Sequence, residues 1–258
     1  MTTKTTAVGN QKGGVGKTTT TLGLAGADAH AGRRCAVFDL DPQRNATSAL
    51  LGEYDGLNVY DALMSDEPGA MQDVIRPSNW EGIDIAPGHK ALALLERSDV
   101  MMPEHRLKNA LDGVDLSAYD RIYLDLPPQL GRLVLNGLVV ADDVLVVTVP
   151  EAWAIDGVLE FMGTIDAVRS SRMMNPALTI AGVLANGYSD QRVEHSSRWA
   201  ELGEMFGEDL VDIRVPRLAA AGNMAAYSAP IYEAKGSNWR RLAACYEMLA
   251  DQLAGERD

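Results

Sequence analysis

The sequence has few cysteines and no long uninterrupted run of apolar residues. Its two cysteines, Cys35 and Cys245, have neither the spacing of a metal site nor that of a redox motif, and we expect both to be inert core thiols. The most apolar region, residues 133–149, is interrupted by Asp142 and Asp143, which excludes a membrane span. The chain starts with polar residues, which predicts no secretory signal. We therefore expect a cytoplasmic protein.

Positive charge is also scarce. The 258 residues include 23 Lys and Arg against 36 Asp and Glu, so the formal net charge is −13. This acidic balance argues against a generally basic coat for binding nucleic acid, although it is compatible with a local basic patch. Apolar residues make up 47% of the chain and charged residues 23%, which is typical of a globular protein with a well-buried core.

Apolar runs alternate with helical patterns along the chain. This alternation predicts an α/β fold with a doubly wound, mostly parallel sheet that binds ligands at the carboxyl ends of its strands. The sequence has no internal repeat, low-complexity tract or linker, so we expect a single domain over 1–258. The predicted strands cover 5–9, 34–39, 83–87, 121–126, 143–149, 178–186 and 210–215. The predicted helices cover 18–32, 45–51, 55–65, 89–97, 103–111, 130–141, 155–170, 192–206 and 239–254.

The stretch QKGGVGKTTT, residues 11–20, connects the first predicted strand to the first predicted helix. Its glycines let several backbone N–H groups point at one anion, and the helix N-terminus adds partial positive charge. Lys17 would reach the β- and γ-phosphates of a nucleotide, and the Thr18 hydroxyl would hold Mg²⁺. A second lysine, Lys12, stands at the loop entrance, where its charge beside Lys17 is costly without an anion. We therefore predict a nucleotide site. Its phosphate-binding residues are Gly13, Gly14, Val15, Gly16, Lys17, Thr18 and Thr19.

Three aspartates directly follow or end predicted strands. Asp39 and Asp41 come at the end of the second strand, and Asp125 lies at the end of the strand over 121–126. A carboxylate at the end of an apolar strand is costly unless a positive group receives it. We interpret Asp125 as the acid that holds Mg²⁺ through a water and Asp39 as an aid to the metal shell. Asp41 is the candidate to orient or deprotonate the attacking water.

Four segments are similar to the ParA/Soj branch of the deviant Walker A ATPases, within the MinD/ParA superfamily. They are KGGVGKTT, FDLDPQRNATSALLG, YLDLPPQLGRLVLNGL and VLVVTVPEAWAIDG, and the resemblance covers residues 5–187 best. It implies a P-loop fold, ATP and Mg²⁺ as ligands, and a homodimer with ATP sandwiched between its subunits. It also implies that Lys12 crosses the interface to the nucleotide of the other subunit, and that Asn186 contacts the base.

The resemblance also implies a function. Members of this family bind nonspecific DNA as the ATP dimer and hydrolyse ATP slowly until a ParB-like centromere-binding protein stimulates them. This implies a nucleoid-associated ATPase of plasmid or chromosome partition without a membrane partner. The family's proline-arginine segment aligns with 215–231, where residues 218–221 are Leu and Ala instead of further arginines. We therefore expect weak, steeply salt-dependent DNA binding. The candidate DNA-binding residues are Arg192, Arg217, Lys235, Arg240 and Arg241.

Two other functions remain open. A related ATPase would position a protein cargo or regulate cell division without segregating DNA, which the arginine-poor segment favours. A small-molecule P-loop ligase would use Lys12 against a carboxylate or amine, whereas a reductase would need paired cluster cysteines that this chain lacks. A membrane-binding relative would need an apolar, basic C-terminal helix, but residues 250–258 are acidic and short of bulky apolar residues.

Overall fold

A seven-stranded sheet organises the structure, a computed structural model that describes residues 3–151, 154–217, 230–233 and 236–255. The strands are β1 (Lys4–Gly9), β2 (Cys35–Asp39), β3 (Arg76–Pro77), β4 (Ile83–Ala86), β5 (Arg121–Asp125), β6 (Asp143–Thr148) and β7 (Thr179–Ala185). Their order across the sheet is β3-β4-β2-β5-β1-β6-β7. All neighbours pair in parallel except β3 and β4, which confirms the predicted α/β fold with a mostly parallel sheet.

Helices cover both faces of this sheet. Those in the described ranges are α1 (Lys17–His30), α2 (Asn45–Leu51), α3 (Val59–Met64), α4 (Leu92–Leu95), α5 (Arg106–Leu111), α6 (Arg132–Val140), α7 (Ala154–Ser170), α8 (Val193–Phe206) and α9 (Ser237–Ala254). Successive residues of β2 point to opposite faces. Cys35 and Val37 join the core formed with α1, α2 and α9, whereas Ala36 and Phe38 join the core formed with α3, α5, α6 and α7. Burial on both faces explains why the strands are apolar throughout.

The ends of β1, β2 and β5 meet at one edge of the sheet. In the register of β2 with β5, Asp39 stands opposite Asp125, and β1 pairs Val8 with Asp125. The loop that follows β1 therefore lies beside both carboxylates. This is the carboxyl edge at which an open α/β sheet binds its ligands.

Some elements differ from the sequence-based expectation. The strand predicted over 210–215 is wrong, because the described backbone there forms only isolated bridges that pair Leu210 with Val183 and Pro216 with Tyr188. The helix predicted over 89–97 is reduced to the single turn of α4. The short strand β3 was not predicted; it contains Pro77, which an edge strand tolerates because one side of an edge needs no N–H donors.

The described part of the chain contains no helix that combines the length and the apolar character needed to cross a membrane. Both cysteines are free thiols. Cys35 is buried in β2, and burial raises the pKa of its thiol well above the ordinary value. Cys245 is partly buried on α9, where burial also raises its thiol pKa. These features agree with two unreactive thiols.

Candidate nucleotide site

The loop between β1 and α1 has the shape of an anion cradle. Gly14 and Gly16 have φ angles of 76° and 94°, which residues with a Cβ atom rarely adopt. A Cβ atom on Gly16 would also lie 1.8 Å from the amide nitrogen of Asn186, so glycine is required there. Gly13 and Gly14 are exposed, and no described atom would lie within 4 Å of a Cβ atom on either. The loop backbone is therefore open to a ligand.

Lys17 lies inside this cradle at the first position of α1. It is buried, and its Nζ donates a 2.9 Å hydrogen bond to the carbonyl oxygen of Lys12. Burial lowers the pKa of the Lys17 ammonium, while the charges of Asp125 and Asp41 act in the opposite direction. A phosphate would be a stronger acceptor for this ammonium than a neutral carbonyl. The N–H groups of the first turn of α1 add to the attraction for an anion.

Asp125 is fully buried beside the cradle. Its carboxylate accepts a 2.7 Å hydrogen bond from the Thr18 hydroxyl and a 3.3 Å hydrogen bond from the Thr21 hydroxyl. Burial, together with the charges of Asp39 and Asp41, raises the pKa of Asp125 from its ordinary 3.8 to about 8. The carboxylate is thus held where its own charge is unfavourable. A cation at this position would relieve that cost.

Asp39 and Asp41 lie on the same side of the site but have different surroundings. The Asp39 carboxylate accepts hydrogen bonds from the Thr47 N–H at 2.8 Å, from the Thr47 hydroxyl at 2.6 Å and from the Asp41 N–H at 3.2 Å. Burial raises the pKa of Asp39 to about 6, although the Thr47 hydrogen bonds oppose this. Asp39 therefore ties α2 to the end of β2, and its predicted role near the metal stays a prediction.

Asp41 is the more available of the two carboxylates. One oxygen accepts a 2.9 Å hydrogen bond from the Gln43 N–H, which fixes the orientation of the side chain. Burial raises its pKa, while the charge of Lys17 and the Gln43 hydrogen bond lower it. A cavity of about 530 Å³ opens beside Asp41, between the loops at 41–43 and 127–129. A water or a ligand group can therefore reach this carboxylate.

The protein side chains supply only part of a coordination shell for Mg²⁺, and a nucleotide would have to supply the rest. Among the described residues, no three His, Cys, Asp or Glu side chains lie close enough to hold a metal ion by themselves. Thr18 and Asp125 are hydrogen-bonded to each other beside the cradle, and both carry oxygen donors of the kind that Mg²⁺ prefers. Mg²⁺ in such sites takes its remaining ligands from phosphates and waters. The residues fit a metal ion that arrives with a nucleotide.

Lys12 lies at the edge of the cradle, and its side chain lies against α7. A Cβ atom on Gly157 of α7 would lie 2.4 Å from Lys12 Cγ and 2.9 Å from Lys12 Cε, so the stem of the lysine passes directly over this glycine. The Lys12 N–H donates a 3.0 Å hydrogen bond to the Asn10 side chain, whose amide in turn donates to the Val147 carbonyl at 2.7 Å. The loop entrance is thus fixed to the end of β6.

Asn186 follows β7 and contacts the loop itself. Its amide donates a 3.2 Å hydrogen bond to the Val15 carbonyl, and it stands against Gly16. The predicted contact with a nucleotide base stays a prediction. Sequence reasoning missed three supporting residues, Asn10, Thr21 and Thr47. Thr21 had a visible signal, since it lies three residues after Thr18 and so on the same face of α1.

Three of the candidate DNA-binding residues, Arg192, Arg217 and Arg241, lie in or contact the loop at 187–192 that follows Asn186. Arg192 ends this loop and is exposed. Arg217 forms an ion pair with Glu151 at 3.2 Å, and Arg241 forms one with Asp190 at 3.4 Å. Arg240 is exposed on α9, whereas Lys235 and residues 218–221 lie outside the described residues. Their role in DNA binding stays a prediction.

Known proteins share this sequence pattern. The AAA_31 family model, described as an AAA domain, matches residues 3–180. The chromosome partitioning protein ParA of Myxococcus xanthus is 34% identical over 228 residues, which are 87% of this chain and 79% of that protein. The sporulation initiation inhibitor protein Soj of Bacillus subtilis is 38% identical over 185 residues, which are 70% of this chain and 71% of that protein.

Solved structures share the fold. Cobyrinic acid a,c-diamide synthase of Mycobacterium smegmatis, with bound ADP and magnesium, is 30% identical with a TM-score of 0.80, over 97% of this chain and 93% of that chain. An ATP complex of a McdA variant from Cyanothece has a TM-score of 0.83 at 16% identity, over 99% of this chain and 98% of that chain, which shows the fold alone. The chain therefore belongs to the AAA_31 family of ParA/MinD-type P-loop ATPases.

Proposed function

We propose that this chain is an ATPase of DNA partition. It dimerises around ATP and Mg²⁺, binds DNA nonspecifically as the ATP-bound dimer, and leaves DNA after a hydrolysis step that a ParB-like centromere-binding protein stimulates. The observation that carries the proposal is the pair of lysines on one loop. Lys17 lies inside the cradle, whereas Lys12 lies at its edge with no carboxylate of the described residues within 4 Å.

The nucleotide would bind the open backbone between Gly13 and Thr18. Lys17 would exchange its hydrogen bond to the Lys12 carbonyl for one to a phosphate, which is a charged and therefore stronger acceptor. The Thr18 hydroxyl would hold Mg²⁺ directly, and Asp125 would hold it through a water. When bound, Mg²⁺ neutralises charge on the phosphates. It would also offset the cost of the buried Asp125 carboxylate, which otherwise takes up a proton near neutral pH.

Asp41 would position the attacking water. Its carboxylate is oriented by the Gln43 N–H, and burial makes it a better proton acceptor than an exposed aspartate. Asp39 would support it indirectly, because one Asp39 oxygen accepts the hydrogen bond from the Asp41 N–H. We therefore expect replacement of Asp41 to slow hydrolysis while leaving the binding of ATP intact.

Lys12 would act across the dimer interface. Two subunits that approach each other with this lysine at the facing loops repel one another unless negative charge lies between them. ATP, with its γ-phosphate, supplies that charge in each site, so ATP stabilises the dimer and hydrolysis removes the stabilisation. The same logic accounts for a lysine at a loop entrance that forms no ion pair with the described residues of its own subunit.

DNA binding would be weak in this chain. Nonspecific affinity comes from neutralised phosphates, and two of the candidate cations, Arg217 and Arg241, already pair with carboxylates. The binding would keep the dimer on the nucleoid in the cytoplasm. A dimer that ignored DNA would leave the positioning of a protein cargo, or the regulation of cell division, as the function of the same ATP cycle.

A second candidate is a ligase for a small molecule. The 30% identity to cobyrinic acid a,c-diamide synthase favours it, as does the cavity of about 530 Å³ beside Asp41, which is large enough for a small substrate. In that case Lys12 would contact a substrate carboxylate or amine. The four motifs shared with the ParA/Soj branch make partition our first choice.

The test is the mass of the protein in solution with Mg²⁺ and either ATP or ADP, for wild type, Asp41→Ala and Lys17→Ala. Each sample is repeated with a nonspecific duplex at low and at moderate salt. We expect an ATP-dependent dimer for wild type, a trapped dimer for Asp41→Ala that carries DNA at low salt, and a monomer for Lys17→Ala. A dimer that never binds DNA would move the function to protein cargo. A monomer in every condition would contradict the proposal.

A further inference from the structure

Three arginines form one surface, which we call the arginine surface: Arg192, Arg217 and Arg241. All three are attached to the loop at 187–192. The Arg217 N–H donates a 2.6 Å hydrogen bond to the Tyr188 carbonyl, and the Arg192 N–H donates one of 3.1 Å to the Ser189 carbonyl. The Arg241 side chain reaches Asp190 in the same loop. The surface adjoins the nucleotide site, because Asn186 comes directly before this loop.

Glu151 occupies part of the arginine surface. One of its oxygens lies 3.2 Å from a guanidinium nitrogen of Arg217. The glutamate backbone is fixed by two hydrogen bonds, from its N–H to the Val149 carbonyl at 2.8 Å and from the Ala154 N–H to its carbonyl at 3.0 Å. The Glu151 side chain is 26% exposed against 51% for Arg217. The backbone that carries the carboxylate is therefore fixed, and Glu151 is the less exposed member of the pair.

The second ion pair on this surface is different. The side chains of Arg241 and Asp190 are 61% and 71% exposed, and their charged atoms are 3.4 Å apart. An ion pair that is so exposed contributes little free energy, because water stabilises the two separated charges almost as well. Glu151 also lies just beyond the end of β6, where the Val147 carbonyl accepts the hydrogen bond from Asn10 that fixes the Lys12 loop. Of the two acids, Glu151 is the one that can compete effectively for its arginine.

We infer that Glu151 competes with nucleic-acid phosphates for Arg217, so that it limits the affinity of the arginine surface for DNA. This rests on the proposed DNA binding by the ATP dimer. A guanidinium forms the same paired hydrogen bonds with a carboxylate as with a phosphate, so Arg217 must leave Glu151 before it contacts DNA. The negative charge of Glu151 also repels the phosphate that would take its place. Glu151 thus lowers the affinity for DNA by competing for Arg217.

The experiment compares Glu151→Gln with Glu160→Gln. Both substitutions remove one negative charge from the same part of the chain, but Glu160 is exposed on α7 and its carboxylate makes no hydrogen bond or ion pair with the described residues. Binding of a labelled random-sequence duplex is measured by fluorescence anisotropy with Mg²⁺ and ATP, over a series of salt concentrations. The same series is run for Arg217→Gln and for Arg217→Gln combined with Glu151→Gln.

We expect Glu151→Gln to bind DNA roughly fivefold more tightly than wild type at low salt, since a partly exposed ion pair no longer has to be broken in each of the two subunits. The slope of log affinity against log salt should become steeper by up to about 1.8, because each subunit gains one phosphate contact. Glu160→Gln should stay within about twofold of wild type. In the Arg217→Gln background, Glu151→Gln should change the affinity for DNA by no more than Glu160→Gln does.

The outcomes separate the inference from the proposed function. If wild type binds DNA and Glu151→Gln behaves like Glu160→Gln, the competition by Glu151 is refuted and the DNA-binding function stands. A fivefold gain that persists in the Arg217→Gln background also refutes it, because the effect would then be one of general charge. If no protein in the series binds DNA at the lowest salt, including Glu151→Gln, both the competition by Glu151 and the DNA-binding function are refuted.

Discussion

Replacing Asp125 with asparagine should stabilise the nucleotide-free protein and at the same time destroy its response to Mg²⁺ and ATP. The carboxylate is fully buried, and it lies opposite Asp39 in the register of β2 with β5. Its two hydrogen bonds come from the hydroxyls of Thr18 and Thr21. An asparagine retains an oxygen to accept one of them and removes the charge. The substitution therefore stabilises the folded state without a cation, because it removes a buried negative charge that only a bound cation would make favourable.

The pH dependence gives the size of this effect. Asp125 has a pKa of about 8 in the folded chain against an ordinary value of 3.8, so the folded chain holds the proton more tightly than the unfolded chain. The free energy of unfolding should therefore fall as pH rises between about 4 and 8, and each pKa unit corresponds to about 1.4 kcal/mol. The shift sets an upper bound of about 5 kcal/mol for the contribution of Asp125 at pH 8.

Thermal and urea unfolding of wild type and Asp125→Asn at pH 5 and pH 8, in EDTA and without nucleotide, would measure it. We expect the stability of the variant relative to wild type to increase by at least about 2 kcal/mol from pH 5 to pH 8. Mg²⁺ and ATP should raise the melting temperature of wild type and not that of the variant. Asp99→Asn, at an exposed loop position, serves as the control and should show no pH-dependent difference. A constant difference between wild type and Asp125→Asn would refute the reasoning.

Three further changes test the site. Gly16→Ala should lower the melting temperature and abolish ATP binding, because the φ angle of 94° costs alanine about 1–2 kcal/mol and its Cβ atom would displace Asn186; thermal shift with and without ATP measures both. Thr47→Val should destabilise the chain by about 2–3 kcal/mol, since it removes a hydrogen bond to buried Asp39; urea unfolding measures it. In the Glu151→Gln background, where Arg217 is free to contact phosphate, Arg217→Gln should flatten the salt dependence of DNA binding by up to about 1.8 for the dimer, measured by anisotropy.

Matched substitutions serve as controls for these changes. Gly13→Ala should leave the melting temperature of the nucleotide-free chain unchanged, because no described atom lies within 4 Å of the added Cβ atom. Ser48→Ala changes an exposed hydroxyl on the same helix as Thr47 and should cost less than about 0.5 kcal/mol. If Gly13→Ala is as harmful as Gly16→Ala, or Ser48→Ala as harmful as Thr47→Val, the assigned contacts are not the cause.

Much of the site could be predicted from the sequence because its parts are local. The glycines, Lys17 and Thr18 lie on one short stretch, and the strand ends that carry Asp39 and Asp125 are visible as apolar runs that stop at a carboxylate. A parallel sheet then brings these ends together without further information. The fold class followed from the same alternation of strands and helices.

Other features depend on contacts that no local pattern reveals. The segment over 210–215 has the alternating burial of a strand, with Val211, Ile213 and Val215 in the core, yet it forms only bridges. Gly182 of β7, with a φ angle of 154°, lets Val211 approach so closely that a Cβ atom there would lie 2.6 Å from Val211 Cγ2. The segment therefore lies beside β7 and pairs with it only at isolated positions, without forming a continuous strand.

The ion pairs of the arginine surface could not be predicted either. Arg217 and Glu151 are far apart in the sequence, and each has other charged residues nearer along the chain. Only the parallel arrangement of β6 and β7 brings the loops that follow them together. The number of charged residues alone does not show that Arg217 is paired with a carboxylate.

The measurement that tests the central claim most directly is the ATPase rate of a mixture of Lys12→Ala and Asp41→Ala chains. Each variant alone should be inactive, the first for lack of Lys12 and the second for lack of the water-positioning carboxylate. If Lys12 acts on the nucleotide of the other subunit, a mixed dimer contains one site with its own Asp41 and a Lys12 supplied by the Asp41→Ala chain. The account predicts that mixing restores up to about a quarter of the wild-type rate, since about half of randomly formed dimers are mixed and each has one intact site. No recovery on mixing, while the two variants still form mixed dimers with ATP, would contradict it.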